Sequence, residues 1–256
     1  MPHHTRQNRV FSPYELNQLI RYGFDHNQLG NYGEMPVEYI TGHVDFMGTT
    51  LAVTPDVLIP RVETEELVTL CLKELETIAK KTSSLRILEM GTGSGALGLS
   101  IALALQKKSQ PFTLHLTDIS LPSLEVAREN AKQLSLKPEM LFFGQGDLWQ
   151  AVPHQKHDLI VANLPYVPTS RITRLDEAVK DFEPHLALDG GPDGLSLIRL
   201  LLKDVDQYLL PHGVCWLEVD DTHSARQLRA EFPHLEISDF LDCFGKTRFV
   251  RASLLQ

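Results

Sequence analysis

Three acids, three closely spaced glycines and an asparagine-led tetrapeptide are the residues whose types and spacing suit chemistry. Gly91, Gly93 and Gly95 stand in Glu89-Met-Gly-Thr-Gly-Ser-Gly95, directly after the apolar pair Ile87-Leu88 and before a segment with helical spacing. This reads as strand, glycine turn, helix. Such a turn lets the backbone approach a ligand closely, and the helix N-terminus adds unpaired N–H groups and partial positive charge. A nicotinamide dinucleotide, a nucleoside triphosphate and S-adenosylmethionine all suit it. No Gly-x-x-x-x-Gly-Lys-Ser/Thr occurs, so no lysine reaches a phosphate. Gly93-Ser-Gly95-Ala-Leu-Gly98 does fit the dinucleotide fingerprint, and Asp118 stands 20 residues past Gly98. Glu89 before the turn and Asn163-Leu-Pro-Tyr166 downstream tip the balance. A nicotinamide enzyme has no need of the second motif; a methyltransferase acting on an amide or amino nitrogen does.

The residues then take roles. Asp118 can accept both ribose hydroxyls of an adenosine. Gly91, Thr92, Gly93, Ser94 and Gly95 lie against the methionine end of the cofactor, with Glu89 just before them. Asp147 holds the adenine by hydrogen bonding and Leu148 by packing. A single acid at a strand end serves equally well as a helix cap. Four polar residues at successive strand ends, Glu89, Asp118, Asp147 and Asn163, favour a site. An amide nitrogen is a poor nucleophile because its lone pair is delocalised. To methylate it, a site must hold both N–H bonds, and the Asn163 side-chain carbonyl and the Leu164 backbone carbonyl are suitable acceptors. Pro165 stiffens the turn and Tyr166 stacks on the flat amide. Catalysis is then mostly positioning, helped by oxygen acceptors facing the positive charge that develops on nitrogen. His154 and His157 read as solvent-facing members of a polar loop. Glu183 reads either as a brace for the Asn163 loop or as a loop carboxylate, and Glu218 as a strand-end cap.

These positions require an alternating framework. Strands are expected over 85–90, 113–118, 140–143, 158–163 and 214–219, with helices between them and two final strands over 235–241 and 247–252. Such alternation means a mostly parallel sheet covered on both faces. Ahead of it, Ser12-Pro-Tyr-Glu15 reads as a capping box opening a short helix to about residue 22, after a mobile tail over 1–11. Residues 39–41, 44–47 and 49–53 read as pieces of an irregular hairpin, and a helix follows to about residue 80. The division is a short helical segment over 1–35, a β-hairpin linker over 36–60 and a catalytic domain over 61–256. The chain has 256 residues and a formal net charge of −9. An acidic balance disfavours stable binding of nucleic-acid phosphates. No apolar run approaches a membrane span, and the polar N-terminus lacks a signal-peptide core. Cys71, Cys215 and Cys243 are far apart and not at metal-ligand spacing, so no metal is expected and a cytoplasmic enzyme is.

Five ordered motifs resemble the HemK/PrmC family of protein-(glutamine-N5) methyltransferases. They are Pro36-Val-Glu-Tyr-Ile-Thr-Gly42, Val57-Leu-Ile-Pro-Arg-Val-Glu-Thr-Glu65, Glu89-Met-Gly-Thr-Gly-Ser-Gly95, Asn163-Leu-Pro-Tyr-Val-Pro168 and Phe182-Glu-Pro-His-Leu-Ala-Leu-Asp-Gly-Gly-Pro-Asp-Gly194. The resemblance covers roughly residues 36–252. It implies a class I S-adenosylmethionine-dependent methyltransferase fold, Rossmann-like, with a seven-stranded sheet. It implies that residues 91–95, Asp118 and Leu148 contact S-adenosylmethionine and that residues 163–166 hold a glutamine. The substrate it implies is the Gly-Gly-Gln glutamine of a class I peptide-chain release factor, methylated by a monomer. Two positions depart from the family pattern: Leu164 stands for the first proline of Asn-Pro-Pro-Tyr, and Val62 for the proline of Pro-Arg-Pro-Glu/Asp-Thr-Glu. Leucine keeps the backbone carbonyl, so activity with a less rigid loop is expected. The family also carries a larger helical domain before the hairpin, where residues 1–35 stand here. Four alternatives stay open: glutamine methylation of a ribosomal protein, adenine amino-group methylation, a nicotinamide-binding oxidoreductase, and a relative that binds S-adenosylmethionine without transferring its methyl group.

Overall fold

The computed structural model describes residues 9–25 and 32–255. The chain opens with α1 (Pro13–Arg21), closed by a capping box in which the Glu15 carboxylate takes the Ser12 N–H at 2.7 Å. Then come α2 (Val37–Thr41), the antiparallel hairpin β1 (His43–Phe46) and β2 (Thr49–Ala52), and α3 (Val62–Ile78). From there strands and helices alternate: β3 (Leu85–Met90), α4 (Ala96–Lys107), β4 (Phe112–Asp118), α5 (Leu121–Gln133), β5 (Leu141–Gln145) and β6 (His157–Ala162). A long loop with two single-turn helices, α6 (Thr169–Ile172) and α7 (Glu177–Lys180), leads to α8 (Ser196–Tyr208) and β7 (Leu209–Glu218). The described chain closes with α9 (Ala225–Glu231), β8 (Leu235–Leu241) and β9 (Thr247–Leu254).

The seven main strands form one sheet in the order β5-β4-β3-β6-β7-β9-β8. The first five run parallel, and β9 lies antiparallel between β7 and β8. Parallel strands need cover on both faces, and β6 is buried along its whole length. Helices α3, α4 and α5 and the β1–β2 hairpin cover one face, burying Leu67, Ile101, Ala131 and Phe46. Helices α8 and α9 cover the other with Ile198, Leu202 and Leu228. The period of two is visible on β3, where Ile87 faces the first layer and Leu88 the second. From β3 the chain crosses to β4 on one side, while β6 lies on the other. This is the topological switch point, where open α/β sheets bind ligands at the strands' carboxyl ends.

Several element boundaries differ from those read in the sequence. Residues 39–41 are helical, not extended. Pro36 starts the turn, Thr41 Oγ1 donates to the Val37 carbonyl at 2.9 Å, and Gly42 ends it at φ 74°. Helix α3 begins at Val62, inside the Pro-Arg-Val-Glu-Thr-Glu motif. Strand β5 lies over Leu141–Gln145, and β7 begins at Leu209, five residues earlier than expected. Residues 9–11 are not a free tail, because the Arg9 guanidinium pairs with Glu15 and donates to the Met35 carbonyl at 2.5 Å. His3, His4 and Gly30 lie outside the described residues.

Candidate active site

The glycine turn is built by backbone bonding across the switch point. Gly91 N–H and Thr92 N–H both donate to the Thr117 carbonyl, at 2.8 and 2.9 Å, which locks the exit of β3 to the end of β4. Gly93 N–H donates to Asp118 Oδ2 at 2.8 Å, and Ser120 N–H to Oδ1 at 2.9 Å. Burial pushes the Asp118 carboxyl up, and these backbone bonds pull it back. Gly91 sits at φ 71°, and a Cβ there would come within 2.9 Å of Leu164 Cδ2. The turn therefore rests on the leucine of the asparagine tetrapeptide. Gly93, at φ 54°, has open space where a Cβ would project.

Glu89 is 3% exposed and accepts from Thr92 Oγ1 at 2.5 Å. Burial raises its carboxyl to about 8 against the pull of Thr92 and the Gly98 N–H. A Cβ on Gly98 would run into this carboxyl group. The third glycine of the apparent dinucleotide fingerprint thus makes room for Glu89, not for a pyrophosphate. Gly95 is likewise a packing position, since a Cβ would meet Leu99 and Ala127.

The predicted residues Glu89, Gly91, Thr92, Gly93, Ser94, Asp118, Asp147, Leu148, Asn163, Leu164 and Pro165 line one cavity of about 330 Å³. Its volume falls in the range of small-molecule pockets. Asp147 is exposed at its rim, and Leu148 holds a positive φ of 45°. Gly95 and Tyr166 stand outside the lining. The open cradle at Gly93 and the spare acceptor capacity of the two Asp118 oxygens suit an adenosyl group joined to a short polar chain.

Behind the cavity, residues distant in sequence support Asn163 and Tyr166. Asn163 Nδ2 donates to Thr64 Oγ1 at 3.2 Å, Thr64 Oγ1 donates to Glu218 Oε2 at 2.8 Å, and the Tyr166 hydroxyl donates to Glu218 Oε1 at 2.9 Å. Burial pushes Glu218 up, while its two hydroxyl donors and the Arg248 charge pull it back. Burial and Glu218 together push the Tyr166 phenol far up, so it stays protonated.

Residues 69–190 match the family model described as Methyltransferase small domain. The chain is 38% identical over 219 residues to the release factor glutamine methyltransferase of Streptococcus pneumoniae, covering 84% of this chain and 74% of that relative. It is 42% identical over 184 residues to the protein of the same name from Moorella thermoacetica, covering 72% of this chain and 62% of the relative. The chain belongs to the release factor glutamine methyltransferase family. Its fold is that of the class I S-adenosylmethionine-dependent methyltransferases. A methyltransferase from Pyrococcus furiosus aligns over 95% of this chain and 98% of its own at TM-score 0.54 and 15% identity. The ribosomal protein L11 methylase of Lactobacillus delbrueckii subsp. bulgaricus aligns over 80% and 84% at TM-score 0.53 and 20% identity.

In this family member the Phe182–Gly194 motif is a clasp for the asparagine tetrapeptide. Val167 N–H donates to the Leu188 carbonyl at 3.0 Å and Gly190 N–H to the Val167 carbonyl at 2.9 Å. A Cβ on Gly190 would stand 2.7 Å from both the Pro165 carbonyl oxygen and Tyr166 Cα, so only glycine lets the strands of the clasp close. Glu183 bonds to the segment entering α3 rather than to residues 163–166. Nearly fully buried, it takes the Arg61 guanidinium at 2.6 Å and so ties the clasp to the entry of α3. Sequence reasoning missed Thr64 and Asn130 and gave Glu218 too small a part. Thr64 had a signal, its place in the Pro60–Glu65 motif; Asn130, on the buried stripe of α5, had none. His157 is corrected outright. It opens β6 with no exposure, and burial, aided by the nearby His115, lowers it to about 4. His154 is exposed. Among the described residues no cluster suits a metal ion and no helix is long and apolar enough to cross a membrane.

Proposed function

We propose that the protein transfers a methyl group from S-adenosylmethionine to the side-chain amide nitrogen of the Gly-Gly-Gln glutamine of a class I peptide-chain release factor. S-adenosylmethionine supplies an electrophilic methyl group on a sulfonium. Residues 91–95 and Glu89 would receive its methionine end, Asp118 its ribose, and Asp147 and Leu148 its adenine. One observation carries the reading: Asn163 Nδ2 is engaged by Thr64, which leaves Oδ1 as the free acceptor of a residue lining the same cavity as the glycine turn.

That oxygen and the Leu164 carbonyl would take the two N–H bonds of the glutamine amide and turn its lone pair toward the methyl group. Positioning of this kind lowers the barrier without a general base, since the proton leaves only after nitrogen has become cationic. The same reading has a cytoplasmic monomer acting on protein, in keeping with the net charge of −9. Mass spectrometry of a release factor incubated with the protein and S-adenosylmethionine tests it. The expected result is one added methyl on the Gly-Gly-Gln glutamine. Cofactor binding without that methyl would reject the substrate and leave the fold standing.

A further inference from the structure

Three hydrogen bonds behind Asn163 run in one direction only. Glu218 is 1% exposed at the end of β7, and both its oxygens are acceptors, Oε2 from Thr64 and Oε1 from Tyr166. A hydroxyl has one proton to donate, and both hydroxyls that meet Glu218 donate to it. The Thr64 proton therefore points at Glu218, and toward Asn163 the Thr64 oxygen can only accept. The two ends of an asparagine amide are nearly the same size and shape, so the network decides which way it faces. The carboxylate of Glu218 is the origin of that decision.

We propose that Glu218 is a positioning residue for methyl transfer: through Thr64 it fixes the Asn163 amide with Oδ1 toward the substrate nitrogen, while its other oxygen holds Tyr166 at the end of the same loop. Its consequence for turnover rests on the function proposed above. A mere strut would be replaced well by glutamine, which has the same shape. A source of direction would not. In Glu218→Gln the new amide can donate to the Thr64 oxygen, freeing the Thr64 proton to point at Asn163. Asn163 can then turn and offer its NH2 group to the substrate N–H, a donor facing a donor.

The test uses the full chain with Glu218→Gln, the isosteric Thr64→Val, and Thr64→Ser. Turnover on a release factor, S-adenosylmethionine affinity by calorimetry, and the Asn163 side-chain NH2 resonances of the substrate-free protein are measured for each. Glu218→Gln and Thr64→Val should lower kcat about 100-fold, the scale of losing one oriented group at a reacting centre, with cofactor affinity kept. Thr64→Ser, which keeps the hydroxyl, should restore most of kcat. The Asn163 NH2 protons should exchange slowly in the parent and in Thr64→Ser and quickly in Thr64→Val. Parent-like kcat in Thr64→Val, or unchanged exchange there, overturns the proposal. If Glu218→Gln does not fold, Thr64→Val carries the test. If the parent itself transfers no methyl group to a release factor, the proposed function falls, and the exchange measurement still decides the hydrogen-bond direction.

Discussion

Asn130, on α5, is fully buried, and its amide works at both ends. Oδ1 accepts from Ala52 N–H at 2.7 Å, and Nδ2 donates to the carbonyls of Ala52 and Ser94, each at 2.9 Å. One side chain thus joins the hairpin to the glycine turn. Asn130→Ala strands one buried and two part-buried backbone groups and should cost about 2 kcal/mol, read as a fall in thermal midpoint. Asn163→Ala belongs to the other class. It removes the acceptor and little packing, so calorimetry should find cofactor binding retained and turnover lost; unchanged turnover would remove Asn163 from the mechanism. His157 brings a pH dependence. Its proton is lost from about 4 in the folded chain against 6.5 ordinarily, so the unfolded chain binds more protons between those values. Stability from this group is complete above pH 6.5 and lost as pH falls toward 4, by at most about 3 kcal/mol. His157→Gln should flatten that part of a stability profile relative to the parent. At this scale, strand-end acids were legible because their types and order carry the signal. The burial of His157 and Asn130 was not, because it depends on which layers close over them.

The glycine turn shows how far an element can be read from its letters. Its three glycines announce a sharp turn, yet they serve different neighbours. Gly91→Ala would set a Cβ against Leu164 in a backbone state that costs L-residues about 1–2 kcal/mol. It should lower the thermal midpoint and disturb the 163–166 loop. Gly93→Ala bears the same backbone cost but meets no protein atom, so its side chain would project into open space at the cavity wall. Calorimetry should find its loss of S-adenosylmethionine affinity larger than that of Gly91→Ala. Helix α3 is the counterexample to easy reading. Its apolar stripe, Leu67, Cys71, Leu75 and Ile78, is buried as its spacing predicts. Its first turn buries no apolar side chain, Val62 being exposed, but the step from Arg61 to Thr64 reaches Glu183 and Glu218, 122 and 154 residues away. Periodicity sees the stripe and cannot see partners at that distance. The short α2 was missed for a related reason: residues 39–41, all β-branched or aromatic, read as strand until Pro36 and Gly42 are allowed to set the ends.

Across the whole molecule, the cavity wall draws on the segment before α3, the ends of β3, β4 and β6, and the clasp around residue 186. A ligand there holds all of these at once. S-adenosylmethionine at about 100 times its dissociation constant should add about 2.7 kcal/mol, a rise of roughly 5–10 °C in a chain of this size. Scanning calorimetry should find one transition that moves as a unit; a hairpin melting separately and unmoved would contradict this. The alternating βα order was legible in the sequence and yields the parallel part of the sheet. The final pair of strands read as a hairpin that sets one antiparallel strand into the sheet, and that strand is β9. That placing has a consequence for synthesis on the ribosome. Strand β8 leaves the exit tunnel before β9, yet among the described residues β9 is its only strand partner. Until residues 247–254 emerge, β8 has no strand to pair with, and the edge of β7 stands open to any passing strand. The nascent chain therefore carries its cavity wall on an unfinished sheet, with the unpaired edge of β7 beside it.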